Sequence, residues 1–266
     1  MRLDLHNHTY LCNHAVDEPY QYIDKALDLG IDIYGFSEHA PMNGYDTKYR
    51  LQQKDIKLYE DIIKDLQVKY QDKIKILLAY EVDFLQGDYL QKEILNAKVD
   101  YLIGSVHFLY QKESDIWGFD NPEFIGHYKN TNIDKIWEDY FEAVEAMSKT
   151  NHFNIVGHLD LLKVFNYLPK KDIKSLAQNT IKQIKKSNMI LELNGAGLRK
   201  PIKEQYPSKQ LLELAFEYDI PITFSSDAHS IEQVGFGYES CVELAKKVGY
   251  TKCGYFIDKQ LILEEF

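Results

Sequence analysis

Histidines and carboxylates recur in this sequence at spacings that suit metal binding. His6 and His8 stand in His-Asn-His, and Asp227 and His229 in Asp-Ala-His. On a strand, side chains alternate with period two, so each pair presents both groups on one face. Single residues of the same kinds accompany them. They are His14, His39 in Ser-Glu-His-Ala-Pro, Glu81 in Ala-Tyr-Glu-Val-Asp, His107 in Gly-Ser-Val-His-Phe and His158 in Val-Gly-His-Leu-Asp. Neutral imidazole and carboxylate suit zinc, manganese or iron. Cys12, Cys241 and Cys253 show no CxxC spacing, which argues against a thiolate zinc site or a disulfide framework. Cys12 lies among the N-terminal histidines as a possible thiolate ligand, but it has no partner cysteine, and a small buried side chain is the simpler reading.

Nine such residues are too many for one ion, since a catalytic zinc takes three protein ligands and keeps one position open. They imply two or three divalent ions. Ions that close together need a bridge, which a carboxylate forms and an imidazole does not, so Glu81 is the expected bridging ligand. Multinuclear sites of this type hold a hydroxide at neutral pH and clamp the attacked and leaving oxygens of a phosphoryl group. The expected reaction is hydrolysis of a small phosphate monoester.

Short apolar, β-branched runs alternate with amphipathic helical stretches and position these groups. The strands are expected at 3–5, 31–36, 74–79, 101–105, 154–156, 189–193 and 222–224, with 254–257 as a possible eighth. Helical patterns lie around 18–29, 52–69, 133–149, 172–186, 208–218 and 231–247. Such alternation means βαβ units and a parallel sheet. Seven or eight evenly spaced strands point to a single (β/α) barrel domain over 1–266, and no GxGxxG after the first strand supports a dinucleotide fold. In a parallel barrel every strand end opens onto one rim, where His6, His8, His39, Glu81, His107, His158, Asp227 and His229 all fall.

The 266 residues are 45% apolar, enough for a sizeable core, yet no run reaches the about 18 apolar residues of a membrane span. Met1-Arg2-Leu3-Asp4-Leu5-His6 lacks the layout of a signal peptide, so the cytoplasm is the expected location. A formal charge of −10 disfavours nucleic acid as a partner, while bound cations would still draw a small phosphate to the rim. Oligomeric state leaves no mark in the sequence.

The set His6-Asn-His8, His14, Glu38-His39-Ala-Pro, Glu81, Gly-Ser-Val-His107, Gly-His158-Leu-Asp and Ser-Asp227-Ala-His229 resembles the polymerase-and-histidinol-phosphatase (PHP) superfamily. Ser37–Pro41, Gly104–Phe108, Gly157–Lys163, Asn194–Lys200 and Tyr206–Ser208 are similar to its stand-alone histidinol phosphatases. The likeness implies a distorted TIM-like barrel with three metal ions. One would take His6, His8, Glu81 and Asp227, a second Glu81, His107 and His158, and a third His14, His39 and His229. Glu81, Asp227 and His229 would be catalytic, and a metal-bound hydroxide would attack phosphorus without a phospho-enzyme intermediate. L-histidinol phosphate would be the substrate.

Arg199, in the Gly-rich loop after the sixth strand, has a guanidinium fork suited to a phosphate dianion, and the resemblance places a phosphate-binding arginine there. The alternative is a solvated loop arginine. Lys163 is a second candidate phosphate contact, and Asp46 a candidate acid for the leaving alkoxide. Glu38, Asp160 and Glu192 adjoin site residues and are expected to accept hydrogen bonds from ligand imidazoles. The segment Trp117–Asp120 is expected to cover the site, whereas His127 and His152 read as surface residues. Rival readings are another phosphatase of this superfamily, acting on phosphotyrosyl protein or other small phosphates, and a non-catalytic metal-binding accessory domain. No ligand position is empty, which disfavours the accessory domain.

Overall fold

In this computed structural model the described residues are 1–266 apart from 46–47, 113–114 and 130. The first half of the chain runs β1 (Leu3–Asp4), α1 (Pro19–Asp28), β2 (Ile33–His39), α2 (Ile56–Tyr70), β3 (Lys75–Asp83), α3 (Lys92–Leu95) and β4 (Tyr101–Ser105). A hairpin, β5 (Phe108–Lys112) and β6 (Asp115–Gly118), follows, and then α4 (Ile125–Lys129) and α5 (Ile133–Lys149). The second half runs β7 (Ile155–Val156), α6 (Ile173–Lys186), β8 (Ile190–Asn194), α7 (Lys209–Glu217), β9 (Ile222–Ser225), α8 (Tyr238–Val248), β10 (Lys252–Ile257) and β11 (Gln260–Glu265).

Strands β1, β2, β3, β4, β7, β8, β9 and β10 are neighbours in that order and pair in parallel. Central strands β2 and β3 are buried along nearly their whole length, which is why they read as unbroken apolar runs. The helices pack around them through one face. In α5 the buried set is Ile136, Trp137, Tyr140, Phe141, Val144 and Met147, at three- and four-residue spacing, and Asn132 caps its start by accepting from the Asp134 amide.

Backbone bonds beyond the short first strand close the ring. The Leu5 amide donates to Phe224 O at 3.1 Å, the His8 amide donates to Ala228 O at 3.0 Å, and Asn7 bridges Ala228 in parallel. The barrel is therefore made by seven strands, from β1 to β9 without the β5–β6 hairpin. The expected strand at 254–257 exists, but it lies outside the ring. It meets β9 at one pair, Cys253 with Ile222, and then pairs antiparallel with β11. From Phe224 onward that edge of β9 already faces the chain after β1, so β10 has no place to continue. The helix expected over 231–247 begins only at Tyr238, because Gly235 (φ 67°) and Gly237 (φ 75°) take left-handed conformations that end the preceding turn. Among the described residues no helix is long and apolar enough to cross a membrane.

Candidate metal centre

Glu81, on β3, lies at the foot of the barrel mouth and turns its two oxygens to different imidazoles. Oε2 faces His39 Nδ1 at 2.8 Å, His6 Nε2 at 3.2 Å and His8 Nε2 at 3.7 Å. Oε1 faces His158 Nε2 at 2.9 Å and His107 Nε2 at 3.8 Å. Across the mouth, Asp227 Oδ1 lies 3.3 Å from His8 Nε2 and 3.5 Å from His229 Nδ1. The His14 ring completes this side, with its centroid 4.6 Å from that of His229 and 5.1 Å from that of His39.

Two of these separations, 3.2 Å from Glu81 to His6 and 3.3 Å from Asp227 to His8, suit donors that share an ion. With ligand bonds near 2.1 Å, two donors on one ion lie about 3.0–3.4 Å apart at octahedral or tetrahedral angles. A second observation agrees: His6 Nε2, His8 Nε2 and His229 Nε2 are buried with no hydrogen-bond partner among the described residues. Buried polar atoms left unpaired cost about 1–3 kcal/mol each, so a cluster of them marks a place for a bound group. Ligand atoms of His6, His8 and Glu81 lie within 4.8 Å of one another, as do those of Glu81, His107 and His158, and those of His8, His39 and His229. The donor set, imidazole and carboxylate, suits divalent metal ions.

Carboxylates behind the ring set the tautomers. Glu192 Oε1 is 2.7 Å from His6 Nδ1, and Glu38 Oε1 is 3.3 Å from His8 Nδ1. With those nitrogens engaged, Nε2 of each ring is left for an ion. His107 Nδ1 is engaged by Asp83, whose other oxygen accepts from Arg50 at 2.8 Å. Sequence reasoning missed Asp83 and Arg50. Asp83 is two residues beyond Glu81 on β3 and so shares its face, a readable signal; Arg50 comes from a loop and offers none. Asp160, expected to serve an imidazole, instead accepts from the Ser208 amide at 2.8 Å and pairs with Lys163 at 3.2 Å. Its backbone is left-handed (φ 69°), which turns it away from the ring of ligands.

Electrostatics follow from this packing. Burial alone would raise the Glu81 pKa, but the charges of His6 and His107 and the hydrogen bond with His158 outweigh it and hold the carboxyl well below its usual range. Burial and the neighbouring His8 charge push His39 down to about 4, leaving the ring neutral and open to an ion. Burial opposes protonation of His107 as well, yet Asp83 and Glu81 lift it to about 10, so an ion there must displace a proton. Cys12 Sγ lies within 4.8 Å of ligand atoms of His14 and His229. Burial raises its thiol pKa and the thiol donates to Thr9 O at 3.2 Å, consistent with a protonated, buried side chain.

Above the cluster opens a cavity of about 700 Å³, the size of a small-molecule site. His14, His39, Glu81, His107, His158, Asp227 and His229 form its floor, and His6 and His8 are buried beneath it. Arg199 lines one wall and donates to the carbonyls of Ser226 and Asp227. The loop before it needs glycine for space: a Cβ on Gly195 would fall 2.1 Å from Phe236 O, and one on Gly197 1.9 Å from Glu204 O. The lining also includes Phe108, Gly118, Asp120, Asn121 and Phe124, so the hairpin segment does border the site as expected. Lys163 is buried, with its ammonium held by Glu204 Oε2 at 2.7 Å, Gln205 O at 2.8 Å and Asp160. Its donors are thus engaged by the protein, and it is absent from the cavity lining. His152 is exposed, and His127 stacks on Trp117 away from the cluster. Asp46 lies outside the described residues.

Comparison with known proteins agrees with this geometry. The PHP domain model matches residues 4–196, and the PHP-associated model residues 209–241. A Deinococcus radiodurans protein named "Probable histidinol-phosphatase" is 34% identical over 92% of this chain and 93% of its own. The histidinol-phosphatase of Bacillus subtilis is 28% identical over 90% of this chain and 98% of its own. The histidinol phosphate phosphatase of Lactococcus lactis, solved with zinc, L-histidinol and phosphate, superposes with a TM-score of 0.79 at 22% identity, covering 98% of each chain. The chain belongs to the PHP domain family.

Proposed function

We propose that this chain, acting as one domain over 1–266, hydrolyses L-histidinol phosphate to L-histidinol and inorganic phosphate. The observation that carries the chemistry is Glu81, whose two oxygens address two separate groups of imidazoles. The choice of substrate is supported by the relatives of Deinococcus and Bacillus named for this activity. The residues suit three ions: His6, His8, Glu81 and Asp227 for one, Glu81, His107 and His158 for a second, and His14, His39 and His229 for a third. When bound, divalent ions supply a water acidic enough to lose its proton near neutral pH and charge to offset that of the phosphoryl oxygens.

The protein contributes positioning and charge. Glu192, Glu38 and Asp83 orient His6, His8 and His107 through Nδ1, which removes the need for these rings to reorganise during turnover. Arg199, anchored by two carbonyls, directs its remaining donors along the cavity wall where a phosphate dianion would lie. Lys163 acts by position, fixing Glu204 and Gln205 beneath the loop that carries Arg199. Burial of Glu81, His6, His8 and His158 keeps bulk water from competing for the same groups, while His14 and the rim histidines face the cavity.

The test is hydrolysis by protein purified with its native metals, assayed on L-histidinol phosphate beside a panel of small phosphate monoesters. Highest kcat/KM on L-histidinol phosphate is expected. Preference for another monoester by about a hundredfold, equivalent to about 2.7 kcal/mol in transition-state binding, would overturn the substrate while leaving the chemistry.

A further inference from the structure

Strand β11 ends the sheet, and among the described residues only β10 pairs with it. The two strands turn at Asp258 and Lys259, both left-handed (φ 49° and 63°), as a tight two-residue hairpin loop requires. The Phe266 amide donates to Thr251 O, so these two residues form a hydrogen-bonded pair. Such pairs recur at every second residue of an antiparallel ladder. The N–H and C=O groups of Ile262 and Glu264 therefore point to β10, and those of Leu261, Leu263 and Glu265 to the open edge. Met1 N donates to Glu265 O from that side at 2.9 Å, as this assignment demands. The Leu261 and Leu263 side chains are 39% and 43% exposed. They lie on one face, over Gly254, where an added Cβ would fall 2.8 Å from Leu261 Cδ1 and 3.3 Å from Leu263 Cδ2. Edge strands are ordinarily blunted by charge, proline or a bulge, and the Leu261–Leu263 stretch has none of these.

The edge is complementary to itself. Two copies paired antiparallel about a twofold axis at Ile262 set Leu261 opposite the partner's Leu263, Gln260 opposite the partner's Glu264 and Lys259 opposite the partner's Glu265. Leu261 and Leu263 both face outward, so each such pair exchanges its N–H···O bonds. Lys259 Nζ donates to Leu95 O at 3.3 Å and keeps further donors for a carboxylate. The neighbouring registers fail. An axis at Leu261 sets Asp258 opposite the partner's Glu264, and an axis at Leu263 sets the partner's Glu264 and Glu265 against Ile262 and Leu261. The edge also lies at the end of the barrel away from the candidate metal centre. The Lys259 amide donates to Asp100 O at 2.8 Å, just before β4, and Met1 precedes β1, so a partner here leaves both cavities open.

We propose that the outer edge of β11 joins two copies of this chain into a symmetric dimer, with the sheet running from one hairpin into the other. The occupant is a second copy because one register satisfies hydrogen bonding, apolar contact and charge together. A contact this short is small for a stable dimer, so the dimer forms with a Kd of about 10–100 µM.

The test is sedimentation velocity on the metal-loaded full chain between about 1 and about 300 µM, where a reversible monomer–dimer equilibrium is expected. Leu263→Pro removes an outward N–H that the β10 ladder does not use, so the fold is kept and Kd rises by about tenfold or more. Lys259→Glu sets like charges opposite each other and raises Kd by about fivefold, and combining it with Glu265→Lys restores the wild-type value. Hydrolysis per chain is expected to be the same in all of these proteins. A chain that stays monomeric throughout, leaving the edge to some other extended segment, overturns the proposal. So does a dimer whose Kd stays within about threefold of wild type in both Leu263→Pro and Lys259→Glu, since it must use another surface.

Discussion

Arg50 Nη2 donates to Asp83 Oδ2 across 2.8 Å, and both side chains are almost wholly buried. The pair matters because the other Asp83 oxygen holds His107 Nδ1, so a loop arginine steadies a candidate metal ligand through one carboxylate. Replacing Asp83 by Asn is expected to weaken metal binding by about 10–100-fold, read by competition with a chromogenic chelator. Arg50→Ala is expected to cost about 3 kcal/mol or more, since it leaves a buried carboxylate short of its counter-charge; urea denaturation of the metal-free protein measures this.

Removal of metal has a thermodynamic as well as a catalytic consequence. An ion present at about a thousandfold over its dissociation constant stabilises the folded state by about 4 kcal/mol. Dialysis against a chelator is expected to abolish hydrolysis and lower the Tm by several degrees, with both restored by added zinc or manganese. Differential scanning calorimetry and a phosphate-release assay check the two together.

Arg199 is expected to act mainly on binding of the phosphate end. Loss of charge-assisted hydrogen bonds worth about 1.5–3 kcal/mol predicts a rise of about 10–100-fold in KM for Arg199→Ala, and a parallel weakening of inhibition by inorganic phosphate. Unchanged KM and kcat would remove it from the site. Because Arg199 also ties the Ser226 and Asp227 carbonyls, metal content is measured alongside.

The glycine before it is a steric requirement. An added methyl at Gly197 would sit 1.9 Å from Glu204 O, a backbone atom that cannot swing aside. Gly197→Ala is expected to destabilise the protein by about 2 kcal/mol or more and to disturb the loop bearing Arg199, as thermal denaturation and KM would show.

Much of this architecture was legible in the sequence, for reasons specific to it. The β3 and β2 runs are buried on both faces and read as apolar blocks, and candidate ligands such as His39 and Glu81 fall where those blocks end. The amphipathic stripe of α5 gave its bounds directly, because its buried residues recur at helical spacing. What escaped depends on partners distant in sequence. Arg50 reaches Asp83, and Asp160 turns to Lys163 and Ser208, through loop geometry that no local pattern encodes. Strand β10 has strand-like composition, but whether it joins the ring depends on the bond from the Leu5 amide to Phe224 O, which no local run of residues announces.

The most direct test of a shared Glu81 is the metal content and activity of Glu81→Gln, which keeps the side chain's shape and removes its charge. With Oε1 and Oε2 addressing separate histidine groups, the account predicts loss of more than one ion per chain by plasma mass spectrometry, with activity on L-histidinol phosphate at background. A variant that keeps its full metal content and its hydrolytic rate would contradict it.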